Sequence, residues 1–174
     1  MIKNNIKKIS NNFIYAFPII FLFFLAFTGF NFSFFLFKNN FSFNLIYAVI
    51  FYMVLKKPDR LGYGLVFLIG IINDVVQNFP IGISSVNYLL LCAIAAFIRN
   101  RTLMPNLLYD WAFFLVAILI VSSVNFTILT VIFDYPIKYG TLMISSFLTF
   151  LIYPILSKLF NYIIIIELRE ENAK

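Results

Sequence analysis

Six stretches of this chain, at residues 13–30, 41–55, 61–77, 81–98, 111–133 and 137–160, are apolar enough to sit in hydrocarbon. A spanning helix needs roughly 20 such residues, because it rises about 1.5 Å per residue across a core about 30 Å thick. The first, fourth, fifth and sixth stretches meet that length. The second and third are short. They either draw flanking residues into the interface or sit in thinned bilayer; one bent hairpin that stops short of crossing is the alternative. Hydrophobic residues make up 63% of the 174 and charged residues 11%, more apolar surface than a water-soluble domain of this size can hide. The expected fold is therefore all-α: one polytopic domain over 1–174, a bundle of six transmembrane helices. The polar stretches, namely the first twelve residues, 99–110 and the last eight, are too short to build a core in water.

Charge placement sets the orientation. With a cytoplasmic N-terminus and six spans, Lys3, Lys7, Lys8, Lys56, Lys57, Arg60, Arg99, Arg101, Lys158, Arg169 and Lys174 all fall on the cytoplasmic side. Only Lys38 and Lys138 fall outside. This positive-inside bias predicts that both termini are cytoplasmic, and it accounts for the net charge of +6 without nucleic acid. The basic start followed by an apolar run is compatible with a signal peptide. The run is too long, however, and no small-x-small cleavage site closes it, so it reads as a retained helix.

Local signals place the breaks. In Lys56-Lys57-Pro58-Asp59-Arg60 the lysines sit at the negative end of one helix, Pro58 opens the next and Asp59 lies at its positive end. Pro80 and Gly82 break the chain on the opposite side, and Pro136 starts the sixth helix. Pro18 and Pro154 lie within spans, where each frees a carbonyl one turn back, at Ile14 and Phe150. Tyr47, Tyr63, Tyr109, Trp111, Tyr135 and Tyr139 fall near the predicted interfaces. The tail from Glu167 to Glu171 continues the sixth helix.

An ionisable residue within a span is expensive and asks for a reason. Asp74 is the clearest case. Gly70, Asn73, Asp74 and Gln77 share one helical face, and Asn87 on the next span returns to a similar depth. Two readings stand side by side: a partner contact or small polar site, and a hydrogen-bond network that holds helices together. Ser122, Ser123, Asn125, Ser145 and Ser146 read as helix-packing residues.

Catalysis finds little to work with. The chain has no histidine, which removes the usual serine base and proton shuttle. Asp74 and Asp110 are expected near opposite faces, too far apart to share a proton as an aspartyl dyad does. No metal-ligand cluster or phosphate loop occurs. Cys92, the one cysteine, lies in a span and reads as a small hydrophobe. The expectation is a non-enzyme without cofactors.

The run Tyr52-Met53-Val54-Leu55-Lys56-Lys57-Pro58-Asp59-Arg60-Leu61-Gly62-Tyr63-Gly64, then Phe67-Leu68-Ile69-Gly70-Ile71-Ile72-Asn73-Asp74, then Pro80-Ile81-Gly82 resembles the rod shape-determining MreD family. That family shows a basic-Pro turn, a Gly-x-x-x-Asp pair and a Pro-Leu-Gly-like turn. Pro58, the Gly70/Asp74 pair and the Pro80–Gly82 turn carry the match over about fifty residues; elsewhere the likeness is hydropathic. The resemblance implies a multi-pass inner-membrane scaffold of the bacterial elongation complex, which maintains cell shape and lateral peptidoglycan synthesis. Its implied partners are an MreC-like bitopic periplasmic scaffold and, indirectly, MreB-like filaments, a RodA-like synthase and a class B penicillin-binding protein. Gly70, Asn73, Asp74, Gln77 and Asn87 would then shape a periplasm-side docking face. The resemblance also implies the membrane fold of vitamin-transporter substrate-binding subunits, and with it a rival function as a small-molecule-binding transporter subunit. Those subunits use an Ala-x-x-x-Ala contact, which this chain lacks.

Overall fold

The computed structural model describes residues 16–28, 34–36, 39–41, 44–101, 106–134 and 139–172. Six helices account for nearly all of them. They are α1 (Ala16–Thr28), α2 (Leu45–Lys56), α3 (Tyr63–Gln77), α4 (Ile83–Arg101), α5 (Leu107–Thr127) and α6 (Tyr139–Asn172). α5 runs on as a π-helical turn, Ile128–Ile132. Three helical stretches, Ile83–Arg101, Leu107–Ile132 and Tyr139–Ile165, are long and apolar enough to cross a membrane; α1, α2 and α3 are apolar but shorter.

The expected second stretch begins too early. Where it was to open, at residue 41, the chain instead forms a hairpin of β1 (Phe34–Leu36) and β2 (Asn39–Phe41), paired antiparallel with Phe34 opposite Phe41. The all-α expectation therefore carries this small exception. α2 starts only at Leu45, where the Asn44 amide donates to Thr149 Oγ1 of α6 at 2.9 Å.

α2 also explains its own shortness. Every residue from Ile46 to Leu55 is buried, and α2 packs against α4, α5 and α6. A helix apolar all round belongs inside the protein. Its twelve residues rise only about 18 Å, but its walls are other helices, so matching the hydrocarbon thickness is not required of it. Aromatic rings set the packing around it. Phe51 meets Phe114 and Tyr153, with centroids 5.1 and 5.8 Å away; Tyr52 stacks on Phe160 at 5.5 Å. Phe160 in turn takes the edge of Phe21 from α1 at 6.0 Å. Such ring pairs add to simple area burial.

The connection after α2 differs from expectation. Pro58 opens a separate 3₁₀ turn, Pro58–Arg60, and α3 begins five residues later at Tyr63 behind Gly62. Pro58 fits there for the reason anticipated, since a first-turn residue has no amide to lose. Pro136 lies outside the described residues, as does Ile14. Pro154 sits inside α6, and the carbonyl it frees at Phe150 accepts the Trp111 indole N–H at 2.9 Å. Trp111 also stacks on the Phe150 ring, 4.7 Å away and nearly parallel. The one tryptophan is thus half-buried against α6. Tyr47, expected near an interface, is buried with its ring edge-on to Tyr88 at 5.5 Å. Tyr63, Tyr109 and Tyr139 are exposed. α6 continues to Asn172, as the tail predicts.

Candidate functional site

α3 and α4 form a tight hairpin, and the reason lies in Gly70. A Cβ there would come closer than 3.0 Å to the Ser85 backbone and its Oγ. Glycine alone lets the two helices approach this far. Ser85, fully buried, uses the proximity: its hydroxyl donates to the Phe67 carbonyl at 2.9 Å.

One turn on, Asp74 closes the hairpin. α3 stops at Asn78, in the left-handed conformation with φ 56°, and the Phe79 amide donates back to the Asp74 carbonyl at 2.9 Å. Gly82, at φ 103°, turns the chain into α4, a backbone angle that side chains resist. The Asp74 carboxylate then accepts the amides that the new helix cannot satisfy itself. Oδ2 takes Gly82 N–H at 2.7 Å. Ser84 N–H is shared, at 3.0 Å from Oδ1 and 3.2 Å from Oδ2. A carboxylate caps a helix start well, because amides and macrodipole both favour negative charge there. Asp74 is wholly buried without a cation among these contacts.

The rest of the expected face joins in part. Asn73 Nδ2 donates to Ser84 Oγ at 3.0 Å, and Gln77 Nε2 donates to Asn73 Oδ1 at 2.8 Å. Gly70, Asn73, Asp74 and Gln77 are therefore brought together, with Pro80 and Gly82 in the turn they hold. Asn87 is not. Its amide donates to Asn125 Oδ1 of α5 at 2.7 Å, so it stitches α4 to α5. Nearby, Ser122 and Ser146 pair at 2.6 Å between α5 and α6, which fits the packing role read for them. The turn itself presents Ile81, 73% exposed.

The chain matches no family model, no curated protein and no solved structure.

At the far end of the bundle stands a feature that the sequence reading missed. Asp110, 4% exposed in the first turn of α5, pairs with Lys56 Nζ in the last turn of α2 at 2.6 Å. Each charge also complements its own helix dipole. Beside it Arg99 donates to the Val54 carbonyl at 3.1 Å, and Tyr52 Oη donates to Asn161 Oδ1 at 2.9 Å. The available signal was topological: with six spans Lys56 and Asp110 fall on the same side. From Ser84 to Arg99 along α4 is about 22 Å at 1.5 Å per residue, so the two buried carboxylates serve opposite ends and cannot share a proton. Among the described residues, no three of His, Cys, Asp and Glu gather to hold a metal ion.

Proposed function

We propose that this chain is a non-catalytic, six-span inner-membrane scaffold that holds other proteins of a bacterial elongation complex in place, in the manner of the MreD family it resembles. The supporting observation is the fate of its buried carboxylates. Asp74 is consumed by the start of α4 and Asp110 by Lys56. Both serve helix packing, and neither is poised over a substrate. The polar-lined cavity among Asn44, Tyr47, Ser122, Asn125 and Ser145 encloses about 20 Å³, room for one water. The roomier groove between α5 and α6 is lined by apolar side chains, with few polar groups to orient a vitamin. That favours a scaffold over a transporter's binding subunit.

In this reading Lys56, Lys57, Arg60, Arg99 and Arg101 mark the cytoplasmic end, and the α3–α4 turn faces the periplasm. Asp74 itself is too buried to touch a partner. Its part is to hold the turn that offers Ile81, with Val75 and Val76 exposed on the preceding turn. The membrane-proximal segment of an MreC-like bitopic scaffold docks there, and MreB-like filaments, a RodA-like synthase and a class B penicillin-binding protein connect through it. Co-purification with that partner tests the reading. Ile81→Glu, at an exposed position, should leave the fold intact and weaken capture at least tenfold, and the cells should round; Asp74→Ala, which loosens the turn, should also weaken capture. Full capture and rod shape with Ile81→Glu would reject this docking face.

A further inference from the structure

Between α5 and α6 the wall of the bundle is open. The helices are pinned at two levels, by Ser122 with Ser146 and by Trp111 on Phe150. Around and between these pins lies a cavity of about 370 Å³, lined chiefly by Leu115, Leu119, Met143, Ile144, Phe147 and Leu148. Ser146 also borders it, but its hydroxyl is taken by Ser122 and by the Leu142 carbonyl at 2.8 Å. The lining is therefore apolar in effect. Met143, Ile144 and Phe147 on its rim are exposed, so the groove opens sideways.

Its depth decides what can enter. Leu115 and Leu119 lie near the middle of Leu107–Ile132, one of the stretches long enough to cross a membrane. The groove thus faces mid-bilayer, beyond the reach of water. Its size decides further. At about 370 Å³ the groove takes a chain of single-carbon thickness whole, whereas a helix about 10 Å across could lay only one face along it. The hydrogen-bonded pins prevent the walls from closing, and an empty groove would forfeit the dispersion contacts of its lining. We propose that the groove holds one acyl chain of a membrane phospholipid, seated lengthwise between α5 and α6. This inference does not depend on the scaffold reading.

Trp111 makes the test direct. It is the chain's one tryptophan and stacks on Phe150, which lines the groove. The full-length protein is reconstituted in vesicles of phosphatidylcholine brominated at mid-chain, and Trp111 fluorescence is followed against the mole fraction of brominated lipid. Filling the groove with Leu119→Phe or Leu148→Phe should cut the quenching at least twofold. Phe147→Ala, which widens the groove, should leave it equal or stronger. Native mass spectrometry of the delipidated protein should retain one phospholipid on the parent chain and lose it on a filled variant that stays monodisperse. Quenching indifferent to all three substitutions, with no retained phospholipid, would overturn the proposal. So would Trp111 protection by a copurifying protein segment in place of lipid.

Discussion

Asp74 and Asp110 meet the same difficulty, a carboxylate shut away from water, by different means. Asp74 is satisfied by the neutral amides of Gly82 and Ser84, a few residues further along the chain. Asp110 is satisfied by the ammonium of Lys56, on a helix far from it in sequence. The first contact shapes a turn, and losing it leaves two amides short of a partner. The second joins two helices of the bundle, and losing it leaves a charge. Buried charges are the costlier thing to strand. The two ends of the molecule should therefore respond very differently to equivalent substitutions.

The sharpest way to break that contrast is Asp110→Ala. It leaves Lys56, 22% exposed, without its counter-ion, and should destabilise the protein by about 3–5 kcal/mol, read from unfolding in mixed micelles. Exchanging the pair, with Lys56→Asp and Asp110→Lys together, tests the mechanism. If attraction alone matters, stability returns. If the dipoles of α2 and α5 contribute, each reversed charge faces the wrong helix end and recovery is partial, short by roughly 0.3–1 kcal/mol per helix.

Gly70→Ala comes next. The added carbon meets the Ser85 backbone and not merely a movable side chain, so α3 must shift on α4. The expected loss is about 2–3 kcal/mol, in the range of overpacking. Because Ser85 Cα and N are among the atoms in the way, Ser85→Gly should restore little. Substantial rescue would mean that the hydroxyl, not the backbone approach, sets the spacing.

These two residues also show how far the chain could be read in advance. Periodicity and length placed all six helices, since apolar runs report burial or lipid without regard to tertiary detail. The Gly70 and Asp74 face was legible because helical spacing alone aligns it. The centrality of α2 was not: a helix wrapped by protein and one wrapped by lipid have the same greasy composition. The hairpin at Phe34–Phe41 falls almost wholly in the connection between the first two apolar stretches, to which no element was assigned. Lys56 with Asp110, and Asn87 with Asn125, depend on which helices become neighbours, and one-dimensional spacing carries no record of that. Hence Asn87 was assigned to the Asp74 cluster, whereas its amide faces α5.

At the α3–α4 end, Asp74→Asn keeps size and one carbonyl oxygen but removes the charge and turns an amide group toward Gly82 or Ser84. Charge-assisted hydrogen bonds exceed neutral ones by about 1 kcal/mol. The loss should be about 1–2 kcal/mol, well below that of Asp110→Ala. Amide exchange at Gly82 and Ser84 should accelerate while exchange near Lys56 stays unchanged. Equal losses at Asp74 and Asp110 would erase the distinction between a dipolar and an ionic partner.

The smallest effect belongs to Trp111→Phe, and it isolates a helix kink from both ends. Phe retains a ring to stack on Phe150 but has no N–H for the Phe150 carbonyl, which Pro154 cannot serve. The expected cost is about 1 kcal/mol, the net value of one hydrogen bond. The informative comparison is a cycle with Pro154→Ala. An alanine at 154 can supply the missing i to i−4 amide, so the Phe150 carbonyl no longer relies on the indole. In that background Trp111→Phe should cost markedly less, and the difference between the two costs is the coupling between kink and indole. A cost unchanged by Pro154→Ala would mean that Trp111 stabilises α5 against α6 through its stacked ring area, with the carbonyl satisfied some other way.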